Sequence, residues 1–141
     1  LLKWKDFSPQ SVTDLEKFIH TYLSPLEELK EVTGEGQNDI TLLIASGVLS
    51  KYLNDNPNAK NTAEILYWLS VAERRLSNTY FFTISELYLK DCVKKYSKSP
   101  FARKCYNLYE RNVEEVFMGS SGLDIPPSEK RELVKLKSYL K

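Results

Sequence analysis

The stretch from Ala63 to Glu110 decides the fold, and it reads AEILYWLSVAERRLSNTYFFTISELYLKDCVKKYSKSPFARKCYNLYE. Apolar residues recur in it at spacings of three and four, which is the period of a helix with one buried face. Ser99 and Pro100 supply a capping hydroxyl followed by a proline suited to the first helical position. The stretch therefore predicts two helices that meet at a tight corner, with a third helix before them.

The composition of the whole chain suits a single helical domain. Of its 141 residues, 42% are hydrophobic and 28% are charged, so one packed core is feasible and disorder is not expected. The 5 Gly and 6 Pro lie mostly between periodic segments, which favours long helices over many short strands. A net charge of +1 gives no global field that would attract nucleic acid, so we expect no nucleic-acid partner.

Working outward from the corner, we predict one all-α domain over residues 1–141. It divides into N-terminal helices at 9–32, hairpin repeats at 38–118 and a C-terminal capping helix at 126–141. Ser-Pro pairs, glycines and the polar turn Asn54–Asn58 mark the divisions. The best strand candidate, residues 79–83, has helical flanks. The predicted helix at 38–53 has an apolar stripe at helical spacing: Ile40, Leu43, Ile44, Gly47 and Val48.

The sequence contains no apolar run that is long enough to span a membrane. No apolar run approaches the roughly 20 residues that a spanning helix needs. Because the first residue is Leu1 and not Met, we expect a processed form or a fragment, from which a signal peptide or lipid anchor has already been removed. Peripheral membrane association through such an anchor is left open.

Three segments around the corner carry a resemblance to a known repeat. Tyr67–Ser70 (YWLS), Tyr88–Cys92 (YLKDC) and Tyr96–Ala102 (YSKSPFA) resemble the tetratricopeptide (TPR) repeat, closest to that of bacterial periplasmic and outer-membrane-assembly repeat proteins. The resemblance covers about sixty residues, and the two tyrosine–turn–proline corners, Tyr52–Pro57 and Tyr96–Pro100, are about 44 residues apart, a spacing typical of stacked helical hairpins.

The resemblance implies stacked antiparallel hairpins and a function in protein–protein interaction. Such arrays bind a peptide or partner protein in a groove between hairpins. The resemblance also implies a periplasmic or cell-envelope location, with the cytoplasm as the alternative. On the first helices of the units we predict Tyr67, Glu73 and Arg74 as partner-binding residues. The alternatives are a small-molecule-binding helical domain and a structural domain of a larger envelope protein.

Two cysteines lie on either side of the corner. In an antiparallel hairpin centred between Lys98 and Ser99, Cys92 and Cys105 are level with each other. One hypothesis is a structural disulfide, which would stabilise the fold by ~2–3 kcal/mol and indicate an oxidising compartment. The other is a pair of buried thiols that behave as small hydrophobes. The spacing alone leaves both open.

Basic residues also gather at the corner, and the rest of the chain offers little chemistry. The cations are Lys90, Lys94, Lys95, Lys98, Arg103 and Lys104. They form either a patch that binds an acidic peptide, lipid head groups or nucleic acid, with Lys94, Lys95 and Lys98 in contact, or a solvated hairpin tip. Without a wider basic surface, the net charge of +1 argues against nucleic acid. The chain has one histidine, His20, no CxxC pair and no phosphate-binding glycine motif. We therefore predict no catalytic residues, no metal site and no cofactor.

Overall fold

The computed structural model describes residues 9, 11–27, 39–76 and 84–141. Within these ranges the chain is almost entirely helical, as predicted. The helices are α1 (Val12–Tyr22), α2 (Ser24–Glu27), α3 (Asp39–Asp55), α4 (Thr62–Leu76), α5 (Ile84–Lys95), α6 (Pro100–Phe117) and α7 (Pro127–Ser138). Two short strands, β1 (Met118–Gly119) and β2 (Gly122–Leu123), lie between α6 and α7.

Serine caps set the starts of two helices. The Ser99 hydroxyl accepts a hydrogen bond from the Phe101 amide at 3.2 Å, and α6 begins at Pro100 as predicted. The first helix begins at Val12 and not at Pro9, because the Ser11 hydroxyl accepts from the Asp14 amide at 3.2 Å. The predicted helix end at residues 28–38 and the strand candidate at 79–83 lie outside the described residues.

Antiparallel hairpins stack around α4, which confirms the predicted architecture. Helix α4 contacts α3, α5 and α6, and α5 and α6 form the hairpin at the corner. Nearly all of α4 from Thr62 to Ala72 is buried. Helix α7 packs against α5 and α6 and buries Leu133 and Leu136. None of the helices within the described ranges is long and apolar enough to cross a bilayer.

The apolar stripe predicted for the third helix lies mostly outside the core, and of its members Val48 packs against the edge of the core. Ile40 and Leu43 are 66% and 61% exposed. The buried side chains of α3 form a different set: Leu42, Ala45, Leu49 and Tyr52. The helix is apolar around most of its circumference, so helical spacing alone did not identify the buried face.

The predicted helix stop at Gly119–Gly122 is a small β-hairpin. Strand β1 pairs antiparallel with β2, with Met118 opposite Leu123. Gly122 has a φ of +108°, a conformation that glycine adopts without the steric cost of a Cβ. This hairpin turns the chain from α6 into α7, and the sequence did not indicate its strands.

Candidate functional site

Helices α3, α4 and α5 meet at Glu73, where we identify a junction formed by Ser46, Glu73 and Tyr88. The Ser46 hydroxyl donates to Glu73 Oε1 at 2.8 Å. Burial raises the pKa of the Tyr88 phenol, and the nearby negative charge of Glu73 raises it further. The Glu73 carboxylate on α4 therefore accepts from a hydroxyl on α3 and lies near enough to a phenol on α5 to act on it electrostatically.

Exposed apolar side chains flank the Glu73 junction on both outer helices. On α3, Leu43 lies three residues before Ser46, and on α5, Ile84 lies four residues before Tyr88. Residues at these spacings are neighbours on a helix surface. Ile84 is 49% exposed, and Leu43 is more exposed still. The surface therefore combines a central carboxylate with apolar side chains on either side.

A groove also lies along α3, on the opposite flank of the helix from Ser46. It has a volume of about 240 Å³ and is lined by Ile44, Gly47, Val48 and Lys51, among others. Within the described residues, no atom outside the neighbouring backbone of α3 lies within 4 Å of the position that a Cβ on Gly47 would occupy, so the groove is open at this point. Because Gly47 lies one turn after Leu43, the exposed leucine stands beside the groove.

The predicted disulfide at the corner is present. Cys92 and Cys105 are bonded, with their Cα atoms 6.3 Å apart. Both are fully buried, and the Cys92 sulfur lies 3.6 Å from the carbonyl oxygen of Ala63 on α4. The bond therefore fixes α5 to α6 at a point that also touches the central helix.

A second polar cluster lies where α7 meets α5 and α6. The fully buried Tyr109 donates its hydroxyl to Glu129 Oε2 at 3.4 Å, and Lys90 Nζ lies 5.3 Å from the Tyr109 ring centroid. Glu132 Oε1 is 3.8 Å from Lys90 Nζ and 3.6 Å from Lys94 Nζ. The contacts hold α7 against the hairpin.

Burial, together with the negative charges of this cluster, favours the protonated form of Tyr109. Burial raises the pKa of Tyr109 strongly, and the carboxylates of Glu129, Glu86 and Glu132 raise it further. A phenol with a raised pKa releases its proton even less readily near neutral pH, so it is a poor general acid. Tyr109 is therefore a packing residue on α6 whose hydrogen bond to Glu129 helps to position α7.

The sequence-predicted partner residues do not form one surface. Tyr67 is only 4% exposed, and its ring packs against Trp68 and Phe101, so little of it is available to a partner. Arg74 pairs with Glu115 at 3.5 Å on the side of α4 that faces α6. Of the three predicted on the first helices, only Glu73 lies at the junction.

The lysines at the corner differ in their surroundings. Lys94 contacts Glu132 as described above, and Lys95 pairs with Asp91 at 3.0 Å. Lys98 is exposed. Lys104 Nζ lies 5.2 Å from the Tyr67 ring centroid. The predicted basic patch is thus partly neutralised by carboxylates and aromatic rings.

Sequence reasoning missed Ser46, Ile84 and the site role of Tyr88. The available signal in the sequence was that apolar residues surround most of α3. A helix of this kind has more apolar surface than one neighbouring helix can cover, so part of that surface stays exposed. Within the described residues, no group of three or more histidine, cysteine or acidic side chains could hold a metal. His20 is exposed in the last turn of α1.

Comparison with protein-family models, curated proteins and solved structures finds no match to this chain.

Proposed function

We propose that the chain is a non-catalytic interaction module that binds a peptide segment of a partner protein across α3, α4 and α5. The observation that carries the proposal is the Glu73 junction with exposed Leu43 and Ile84 on its two sides. Large apolar side chains grouped around a fixed polar anchor are typical of peptide-binding surfaces. The resemblance to TPR-type repeats supports the same function, since those hairpin arrays bind peptides between their helices.

The expected ligand is a peptide with apolar side chains and one basic residue. Its apolar side chains would cover Leu43 and Ile84, so that their surface is removed from water. Its lysine or arginine would approach the free oxygen of Glu73, because Oε1 already accepts from Ser46. A charge-assisted contact of this kind fixes the register of the peptide on the surface.

We also propose an oxidising location such as the periplasm or cell envelope. The buried Cys92–Cys105 bond supports this, because structural disulfides form and persist in oxidising compartments and are rare in the cytosol.

Selection from a random peptide library displayed on phage tests the interaction function. We expect enriched peptides to combine apolar residues with a lysine or arginine, and we expect calorimetry to give saturable binding. Glu73→Gln keeps a side-chain oxygen for the Ser46 hydroxyl and removes the charge. It should weaken binding about tenfold, which is the size of one lost charge-assisted contact.

Matched variants separate this surface from general effects on the fold. Glu110→Gln also changes a carboxylate that accepts from a hydroxyl, in this case that of Tyr106 at 3.5 Å, and should leave peptide binding unchanged. Leu43→Asp should abolish binding, whereas Val12→Asp, at an exposed valine on α1, should not. The proposal is wrong if no peptide is enriched, or if selected peptides bind equally well to the Leu43→Asp and Glu73→Gln variants.

A further inference from the structure

Helix α7 separates its charges between two sides. Its acids face the fold, where Glu129 accepts from Tyr109 and Glu132 contacts Lys90 and Lys94. The exposed cations of α7 and the residues after it are Lys130, Arg131, Lys135, Lys137 and Lys141. None of these five has a carboxylate within ion-pair distance in the part of the chain that the structure describes. The outer side of α7 is therefore positive and uncompensated.

An apolar groove opens on this positive side, between the start of α6 and the end of α7. Its volume is about 330 Å³. Val134 and Leu140 supply its apolar surface, and Arg103, Lys137 and Lys141 supply three cations. Among the described residues no acidic side chain lines it, and Val134 is 72% exposed. An apolar recess with three cationic side chains and Ser138 at its rim is complementary to an apolar group that carries negative charges beside it.

The compensated lysines at the corner make this groove distinct. Lys94 and Lys95 already have carboxylate partners on Glu132 and Asp91, so a ligand gains little from them. Arg103, on the first turn of α6, has no such partner within the described residues. Lys98 at the hairpin tip is exposed and has no ion pair within the described residues, so the tip offers one available cation where the α6–α7 groove offers three.

We propose that the α6–α7 groove binds an acidic peptide that inserts one apolar side chain between Val134 and Leu140. The volume is at the lower end for ligand sites, which suits a side chain of leucine or phenylalanine size. Acidic residues on either side of it would then meet Arg103, Lys137 and Lys141. A flat bilayer would reach the cations but leave the recess between the helices unfilled, so an acidic peptide satisfies more of the surface than a lipid membrane does.

Fluorescence anisotropy with a labelled synthetic peptide tests the proposal on the full chain. The probe has a central leucine with glutamates on both sides. We expect saturable binding that weakens as salt is added, because rim charges are screened. The combined Arg103→Glu and Lys137→Glu substitutions should weaken binding at least about tenfold, and Val134→Ser should weaken it as well. Lys60→Glu, a charge reversal in the exposed turn between α3 and α4, should have no effect.

Three outcomes would overturn the proposal. The first is equal binding of a peptide with serine in place of the central leucine, which would indicate charge attraction without use of the groove. The second is equal binding by wild type and by the Arg103→Glu, Lys137→Glu variant. The third is binding to phosphatidylglycerol vesicles through these cations without binding to the peptide. Leu43→Asp should leave acidic-peptide binding intact, so this proposal and the one for the Glu73 junction can fail separately.

Discussion

Reduction of the Cys92–Cys105 bond is expected to destabilise the protein by about 3 kcal/mol. The two cysteines are 13 residues apart, and closing a loop of this length removes conformational entropy from the unfolded chain worth about 3 kcal/mol at 25 °C. For a domain of 141 residues this corresponds to a fall in Tm of about 10 °C. Reduction increases the entropy of the unfolded chain and leaves the folded structure as it is. The helix content at low temperature should therefore stay the same.

Thermal and urea unfolding followed by circular dichroism, with and without a phosphine reductant, measure this effect. The Cys92→Ala, Cys105→Ala double variant is the control, because its stability should not respond to reductant. It should also be less stable than the reduced wild type, since it loses two fully buried sulfur atoms and the contacts they make. The reasoning would be refuted if the reduced and the oxidised wild type had the same Tm. Two free thiols, found by alkylation and mass spectrometry, in protein purified without reductant from its native source would refute it as well.

Three further substitutions probe other features. Burial raises the pKa of Glu86, and Glu129 raises it further against the opposing effect of Lys90, so the folded protein binds this proton more tightly than the unfolded chain. Stability is therefore lost as pH rises from the ordinary glutamate value through the raised one, and Glu86→Gln should remove that loss in urea titrations at several pH values. Glu132→Gln breaks two half-buried ion pairs of α7 and should lower the free energy of unfolding by about 1 kcal/mol, seen as a lower urea midpoint; an unchanged midpoint would contradict this. Gly122→Ala forces a Cβ into a φ of +108° and should cost about 1–3 kcal/mol, measured by thermal unfolding, with Gly47→Ala expected to show no such strain.

The parts of the fold that the sequence predicted are those set by local chemistry. Ser99 and Pro100 start α6 where the capping rule places them, and the symmetry of the hairpin brings Cys92 level with Cys105. Both follow from residues that are near each other along the chain. The start of α1 is also set locally, by the Ser11 cap. It was predicted wrongly because the Ser8-Pro9 pair, one turn earlier, is the more prominent signal for a helix start.

The parts that were not predicted depend on contacts between distant segments. Contact with α4 determines which side of α3 is buried. Because α3 has apolar residues on both sides, its sequence does not indicate which side that is. The lysines at the corner looked free because Glu132, which lies far along the chain, could not be placed beside Lys90 and Lys94. Tyr67 looked accessible for the same reason, since Phe101 and Lys104 cover it only after the hairpin closes. Glu73 was predicted as a partner residue, but its neighbours Ser46 and Tyr88 could not be identified without the packing of three helices.

The burial of α4 on nearly all sides has a consequence for how the protein unfolds. In a linear array each hairpin touches only its neighbours, and the ends can open while the middle remains intact. Here α3, α5 and α6 all pack on one helix, so none can leave without exposing the apolar surface of α4 from Thr62 to Ala72. The described helices around α4 should therefore unfold in a single all-or-none step, and a shorter piece made by deleting α3 or α6 should not fold by itself.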